Sequence, residues 1–224
     1  MREESHNVSA VAHYYTLPDT PYDLWVRGEL AGFLRLPDDG TRVEVIGGEI
    51  VVSPGPTLAH NLIVSDINDR FAEARATVPG FSWRCVQTTD LNLVRLGDGY
   101  VPDLLVIDVD VAREARQTAA RYLLPPQVDL AVEVTSPSNA ANDREPGQLR
   151  LTSTKWGGYA ATGIPFYLLV DRDPRLPRTT LYAHPNVHAG TYETLTTWKF
   201  GETIHLPEPF GLDITTDDWE PCDR

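Results

Sequence analysis

Two acids stand out for where they fall in the sequence. Val101-Pro102-Asp103-Leu104-Leu105-Val106-Ile107 and Val128-Asp129-Leu130-Ala131-Val132-Glu133-Val134 each read as a short buried strand, apolar and β-branched and bounded by Gly or Pro. Asp103 opens the first run, and Glu133 stands near the end of the second. If the runs pair antiparallel, the start of one lies beside the end of the other, and the carboxylates come side by side. Carboxylates at the ends of buried strands are costly unless paired, hydrogen-bonded or metal-bound. Two acids converging at one sheet edge can hold a hard divalent cation such as Mg²⁺. The alternative is structural, with Asp103 capping a turn and Glu133 paired to Arg144 or Arg150.

Two further residues are candidates. Glu44 lies in an otherwise apolar strand, where alternation sets it opposite Val43 and Val45 and on the face of Ile46. It is either a third acid reaching the metal or an outward hairpin glutamate. His60 falls in the first turn of a long helix, where the dipole favours the neutral imidazole. A neutral imidazole can accept a proton or bind a metal; the alternative is a capping or packing histidine. Ser136 and Ser138 flank Pro137 as turn residues, with no nucleophile elbow around either.

The elements that must position these groups follow from periodicity. Thr20-Pro21 starts a short helix over Tyr22–Phe33, with Leu24, Trp25, Leu30 and Phe33 as its apolar residues. Arg42–Ser53 is a β-hairpin turning on Gly47-Gly48. A helix over Thr57–Ala76 follows, with Ala59, Ile63, Ile67, Phe71 and Ala74 on one face. Residues 82–96 are strand-like and end at Gly97-Asp98-Gly99. A short helix over Ala112–Tyr122 separates the two central strands, and Ser136–Arg150 reads as a loop. A weak helix over Leu149–Thr162 closes at Gly163. Strands are predicted at Ile164–Val170, Thr179–Ala183, Thr191–Thr196 and Glu202–Leu206, with Phe210 and Trp219 anchoring the tail. Residues 1–18 form a loose lead-in, and 19–224 make one α/β domain around a central mixed β-sheet.

Composition excludes several classes. No apolar run reaches bilayer length, and the N-terminus lacks the apolar core of a signal peptide. Two distant cysteines, Cys85 and Cys222, make neither a disulfide framework nor a zinc cluster, which points to a reducing cytoplasm. The net charge of −13 repels a phosphate backbone at long range and disfavours unspecific DNA binding. It leaves room for a local basic groove, or for a metal site that attracts phosphate once loaded.

Taken in order, a set of motifs resembles a known family. They are Val43-Glu44-Val45-Ile46-Gly47-Gly48-Glu49-Ile50, Ser53-Pro54-Gly55-Pro56 with His60, Val101-Pro102-Asp103, Ala131-Val132-Glu133-Val134-Thr135-Ser136-Pro137-Ser138 with Asp143, and Lys155 and Tyr159 ahead of Gly163-Ile164-Pro165. From about Tyr22 to Leu206 the chain resembles the bacterial Uma-type family of restriction-endonuclease-like proteins, within the PD-(D/E)XK nuclease superfamily. The resemblance implies a restriction-endonuclease-like mixed central sheet flanked by helices. It also implies a metal-dependent phosphodiesterase site built on Asp103 and Glu133. The superfamily's lysine usually stands two residues after the second acid, where this chain has Thr135. The family's replacement is a lysine on the following helix, which Lys155 matches by its spacing to Tyr159 and Gly163-Ile164-Pro165. The gap from Asp143 to Lys155 is longer than the family's usual one.

On this reading Asp103 and Glu133 hold Mg²⁺ or Mn²⁺, and the Val134 carbonyl is a further ligand. Lys155 orients the attacking water or offsets developing charge. Asp143 orients Lys155 or only stabilises its loop. The expected activity is hydrolysis of DNA phosphodiester bonds. One alternative is a catalytically inactive nuclease-fold protein that binds a protein or nucleic-acid partner. The other is a metal-dependent hydrolase of a small phosphorylated molecule. The later strands offer an exposed edge through which a homodimer can form.

Overall fold

The computed structural model describes residues 17–147 and 153–222. Most of the lead-in expected over 1–18, the first residues of the helix expected from Leu149, and Arg150 lie outside them.

Helix α1 (Pro21–Arg27) starts where the Thr20 side chain accepts the Asp23 N–H, with Pro21 in the first turn. Its C-cap, Gly28, is left-handed at φ 72° and bonds back to the last turn. The single helix expected over Tyr22–Phe33 is therefore two, the second being α2 (Leu30–Phe33). Strands β1 (Arg42–Ile46) and β2 (Glu49–Ser53) form the expected hairpin. Gly47 and Gly48 supply φ values of 61° and 78°, which a two-residue turn requires. Helix α3 (Leu58–Thr77) is capped by Thr57. Its buried face runs through His60, Ile63, Val64, Ile67, Phe71 and Ala74, so His60 takes the place expected for Ala59, which is exposed.

Strands β3 (Trp83–Gln87), β4 (Leu91–Leu93), β5 (Asp98–Tyr100) and β6 (Leu104–Asp108) come next, then α4 (Val109–Thr118) and β7 (Leu130–Val134). Among the described residues, the expected loop over 136–150 contains one helical turn, α5 (Ala140–Asp143). Helix α6 (Lys155–Thr162) runs from its Thr154 cap to left-handed Gly163. The chain ends with β8 (Phe166–Asp171), β9 (Arg178–Asn186), β10 (Thr191–Lys199), β11 (Ile204–Leu206) and β12 (Leu212–Ile214).

A six-stranded mixed sheet, in the order β10-β9-β8-β7-β6-β3, forms the centre. Its one parallel pair is β7 with β8. Side chains alternate between its faces. Leu104, Val106, Leu130 and Val132 pack under α3 with Phe210 and Trp219, which anchor the tail as expected. Leu105, Ile107, Ala131, Tyr167 and Leu169 pack on the other side with Trp156 and Tyr159 of α6. Glu133 shares the parity of Ala131, so it faces α6.

A second sheet, β2-β1-β5-β4, was not expected. Its key strand is β5, hidden in what reads as the turn Gly97-Asp98-Gly99. The strand forms because the buried Asp98 carboxylate accepts the N–H groups of Gly47 (2.9 Å) and Gly48 (3.0 Å), locking the β1–β2 turn onto it. Gly99 is required there, since a Cβ would run into the Trp25 ring. Among the described residues, no helix is long and apolar enough to cross a membrane.

Candidate functional site

Strands β6 and β7 pair antiparallel with Leu104 opposite Val132, which puts Asp103 and Glu133 at neighbouring strand ends. Asp103 is 6% exposed, and each of its oxygens accepts a hydrogen bond. Its Oδ2 accepts the Val134 N–H (2.9 Å), and its Oδ1 accepts from Arg42 Nη1 (2.8 Å). His60 Nε2 lies 3.1 Å from the same Oδ1, close enough for a hydrogen bond but poorly aligned for one. Burial works against the charge on Asp103, but His60, Lys155 and the Val134 N–H outweigh it and hold the carboxyl at about 2. Asp103 bonds across to the neighbouring strand, so it is not a turn cap.

Glu133 does not pair with Arg144, which is engaged by Asp171 (2.6 Å) and Asp173 (3.6 Å). Its partner is Lys155, at the first position of α6. The ammonium lies 3.0 Å from Glu133 Oε1, 2.9 Å from Glu44 Oε1 and 3.7 Å from Asp143 Oδ1. Tyr159, one turn along the helix, donates to the same Glu133 Oε1 at 2.5 Å. Among the described residues every hydrogen bond of Glu133 falls on Oε1, which leaves Oε2 available. Glu44 points inward, accepting the Val101 N–H (2.7 Å) as well as Lys155, so the outward-glutamate alternative is set aside.

Lys155 is 2% exposed. Burial alone would neutralise it, but Glu133, Glu44, Asp143 and Asp103 hold its pKa well above the ordinary lysine value. One ammonium faces three close carboxylates, so it offsets only part of their mutual repulsion. Glu133 is pushed well above the usual carboxylate range by burial and by Asp143, Asp103 and Glu44, with Lys155 pulling the other way. Asp143 is pushed up to about 7, by burial first and then by Asp103 and Glu44 against Lys155 and Arg144.

The Asp143 shift gives a testable pH dependence. An acid whose folded pKa is raised stabilises the fold below its unfolded pKa, and that stability is lost as pH rises through the folded value. Wild-type stability should fall between pH 3.8 and about 7, by about 4 kcal/mol at most from this group. Asp143→Asn should flatten that slope in urea melts taken across this range.

Glu44, His60, Asp103, Glu133 and Lys155 line one cleft of about 460 Å³. A larger cavity of about 770 Å³ lies on the far side of Arg42 and holds none of those five. Thr135, where the superfamily lysine is usual, instead ties the end of β7 to β8. Its hydroxyl donates to Asp171 Oδ1 (3.3 Å) and accepts the Arg172 N–H (2.9 Å). Sequence reasoning missed Arg42, whose position at the mouth of the hairpin carries no spacing signal. It also missed Glu220-Pro221-Cys222, which line the cleft from the far end of the chain.

Comparison with known proteins agrees with this architecture. A search of curated proteins gives no match. A crystal structure described as "a putative nuclease belonging to DUF820", from Anabaena variabilis, is similar in fold with a TM-score of 0.58. It is 21% identical, and the alignment covers 84% of this chain and 94% of that one. At that identity the likeness carries the fold alone. The Uma2 family model, described as "Putative restriction endonuclease", matches residues 30–217. A match across most of the chain shows that it belongs to the Uma2 family.

Proposed function

We propose that the chain is a metal-dependent endonuclease that hydrolyses DNA phosphodiester bonds in the cleft where Asp103 and Glu133 meet Lys155. The observation that carries this reading is the convergence of two acids from neighbouring strand ends with a buried ammonium from α6. The donor set suits Mg²⁺ or Mn²⁺. Among the described residues no three acids, histidines or cysteines cluster as a closed metal cage. Mg²⁺ does not need one, since it is commonly held by one or two carboxylates, with waters and substrate phosphate completing the shell. Asp103, the free Oε2 of Glu133 and the Val134 carbonyl would hold it. A divalent cation bound there supplies Lewis-acid polarisation of the phosphoryl oxygen and a water of lowered pKa.

The chain's own groups do the rest. Arg42 and the Val134 N–H fix the orientation of Asp103. Tyr159 and Lys155 take Oε1 of Glu133, which turns its other oxygen to the cleft. Lys155, charged throughout the working pH range, offsets negative charge as it develops on the phosphoryl group.

The test is cleavage of plasmid and single-stranded DNA with Mg²⁺ or Mn²⁺ against a chelator control. Cleavage that needs the cation supports the reading, while no cleavage of either substrate, or cleavage undiminished by chelator, contradicts it. A second reading, an inactive nuclease-fold protein that binds a partner, is favoured by Thr135 in the lysine position and by the net charge of −13.

A further inference from the structure

We infer that the N-terminus of α3 is an anion subsite of the same cleft, where Thr57, Ala59, His60 and Arg42 hold a phosphate group of the substrate. The choice of phosphate rests on the hydrolytic reading above; the placement of positive potential does not.

Helix α3 has 20 residues and no acidic residue in its first turn. The positive end of its dipole is therefore unopposed from within the helix. The Thr57 hydroxyl accepts the His60 N–H at 3.3 Å, while the N–H groups of Leu58 and Ala59 have no acceptor inside the helix. Thr57, Ala59 and the preceding Pro54-Gly55-Pro56 line the cleft, so this end opens into it. A free helix end that faces a cavity is a ready anion site.

The independent observation is His60. It is 4% exposed and lines the cleft; its Nε2 lies 3.1 Å from Asp103 Oδ1, and its Nδ1 has no hydrogen-bond partner among the described residues. A buried ring nitrogen left without a partner is unfavourable, and protonated it can donate to a ligand oxygen. Arg42 adds a permanent charge. Of the five N–H donors of a guanidinium, Arg42 uses one, on Asp103, among the described residues, and its side chain is 18% exposed in the wall of the cleft. Helix end, imidazole and guanidinium thus line the cleft together, with the imidazole and guanidinium both at Asp103 Oδ1. They match a tetrahedral oxyanion seated next to the carboxylate pair.

Binding of thymidine 5′-monophosphate to the full chain, followed by calorimetry in EDTA and again with Ca²⁺, tests this. Saturable binding is expected in EDTA. Thr57→Asp keeps a good N-cap but places a fixed negative charge at the subsite, and should weaken binding by about tenfold or more. His60→Ala should weaken it as well. Absence of binding in EDTA, or binding that Thr57→Asp leaves unchanged, overturns the subsite. Binding that appears only with Ca²⁺ assigns the phosphate to the cation and also overturns it. Mn²⁺ binding through Glu133 is measured separately, so loss of the subsite and loss of the hydrolytic reading are distinguishable.

Discussion

Asp103→Asn should lower cation-dependent DNA cleavage by about a thousandfold, because it removes a proposed charged ligand from a step in which metal charge stabilisation is worth several kcal/mol. The substitution nearly preserves shape. Asparagine keeps one acceptor oxygen, so of the two hydrogen bonds Asp103 accepts, from Arg42 on Oδ1 and from the Val134 N–H on Oδ2, it can retain one. The change also has a stability signature that separates chemistry from collapse. A carboxyl held at about 2 contributes stability above its unfolded pKa of 3.8, and that contribution is lost as pH falls toward 2. The variant should therefore be less stable by about 2 kcal/mol at neutral pH and no less stable than wild type near pH 2. Cleavage surviving in a folded Asp103→Asn protein would remove Asp103 from the site.

Lys155→Met should cost more in folding than any other single change in the cleft. It leaves Glu44, Glu133 and Asp143 buried around an apolar side chain. Removing one member of a buried ion cluster typically costs about 3–5 kcal/mol. For a chain of this size that is a melting temperature lower by about 10 °C. The sign with pH is fixed by the acids. Lys155 itself is charged in both states until pH approaches its ordinary value of 10.5. Without it, Glu133 and Asp143 take up protons more readily, so the deficit should shrink toward pH 5 and grow toward pH 8. Adding Asp143→Asn should recover part of the loss at pH 8, and differential scanning calorimetry of the single and double variants checks this. A Lys155→Met protein as stable as wild type at pH 8 would mean that the ammonium is not held by these carboxylates.

The parts of this arrangement set by local rules were legible in the sequence. Gly47-Gly48 between two β-branched runs gave the hairpin, and alternation along Val101–Ile107 and Val128–Val134 gave the central strands. Antiparallel pairing of those strands places Asp103 beside Glu133 without any knowledge of the rest of the fold. What escaped depends on contacts distant in sequence. β5 is three residues long and contains Gly99, so it has no strand signature; it forms because Asp98 caps the hairpin turn and Trp25 covers the glycine. The break at Gly28 hid inside a plausible helical period. His60 replaced Ala59 on the buried face because the two stand three and four residues before Ile63, and either spacing fits a helical face. The inward turn of Glu44 was undecidable from alternation, since both faces of the hairpin carry apolar residues. It is settled by Lys155 and the Val101 N–H, from elsewhere in the chain.

Calorimetric titration of Mn²⁺ into wild type and Glu133→Gln addresses the cation site most directly, because it reads binding without requiring a substrate. The proposed site predicts saturable one-site binding to the wild-type chain and an affinity lower by about tenfold to a hundredfold or more in Glu133→Gln. A flat wild-type titration, or an isotherm that the substitution leaves unchanged, would contradict a cation held between Asp103 and Glu133.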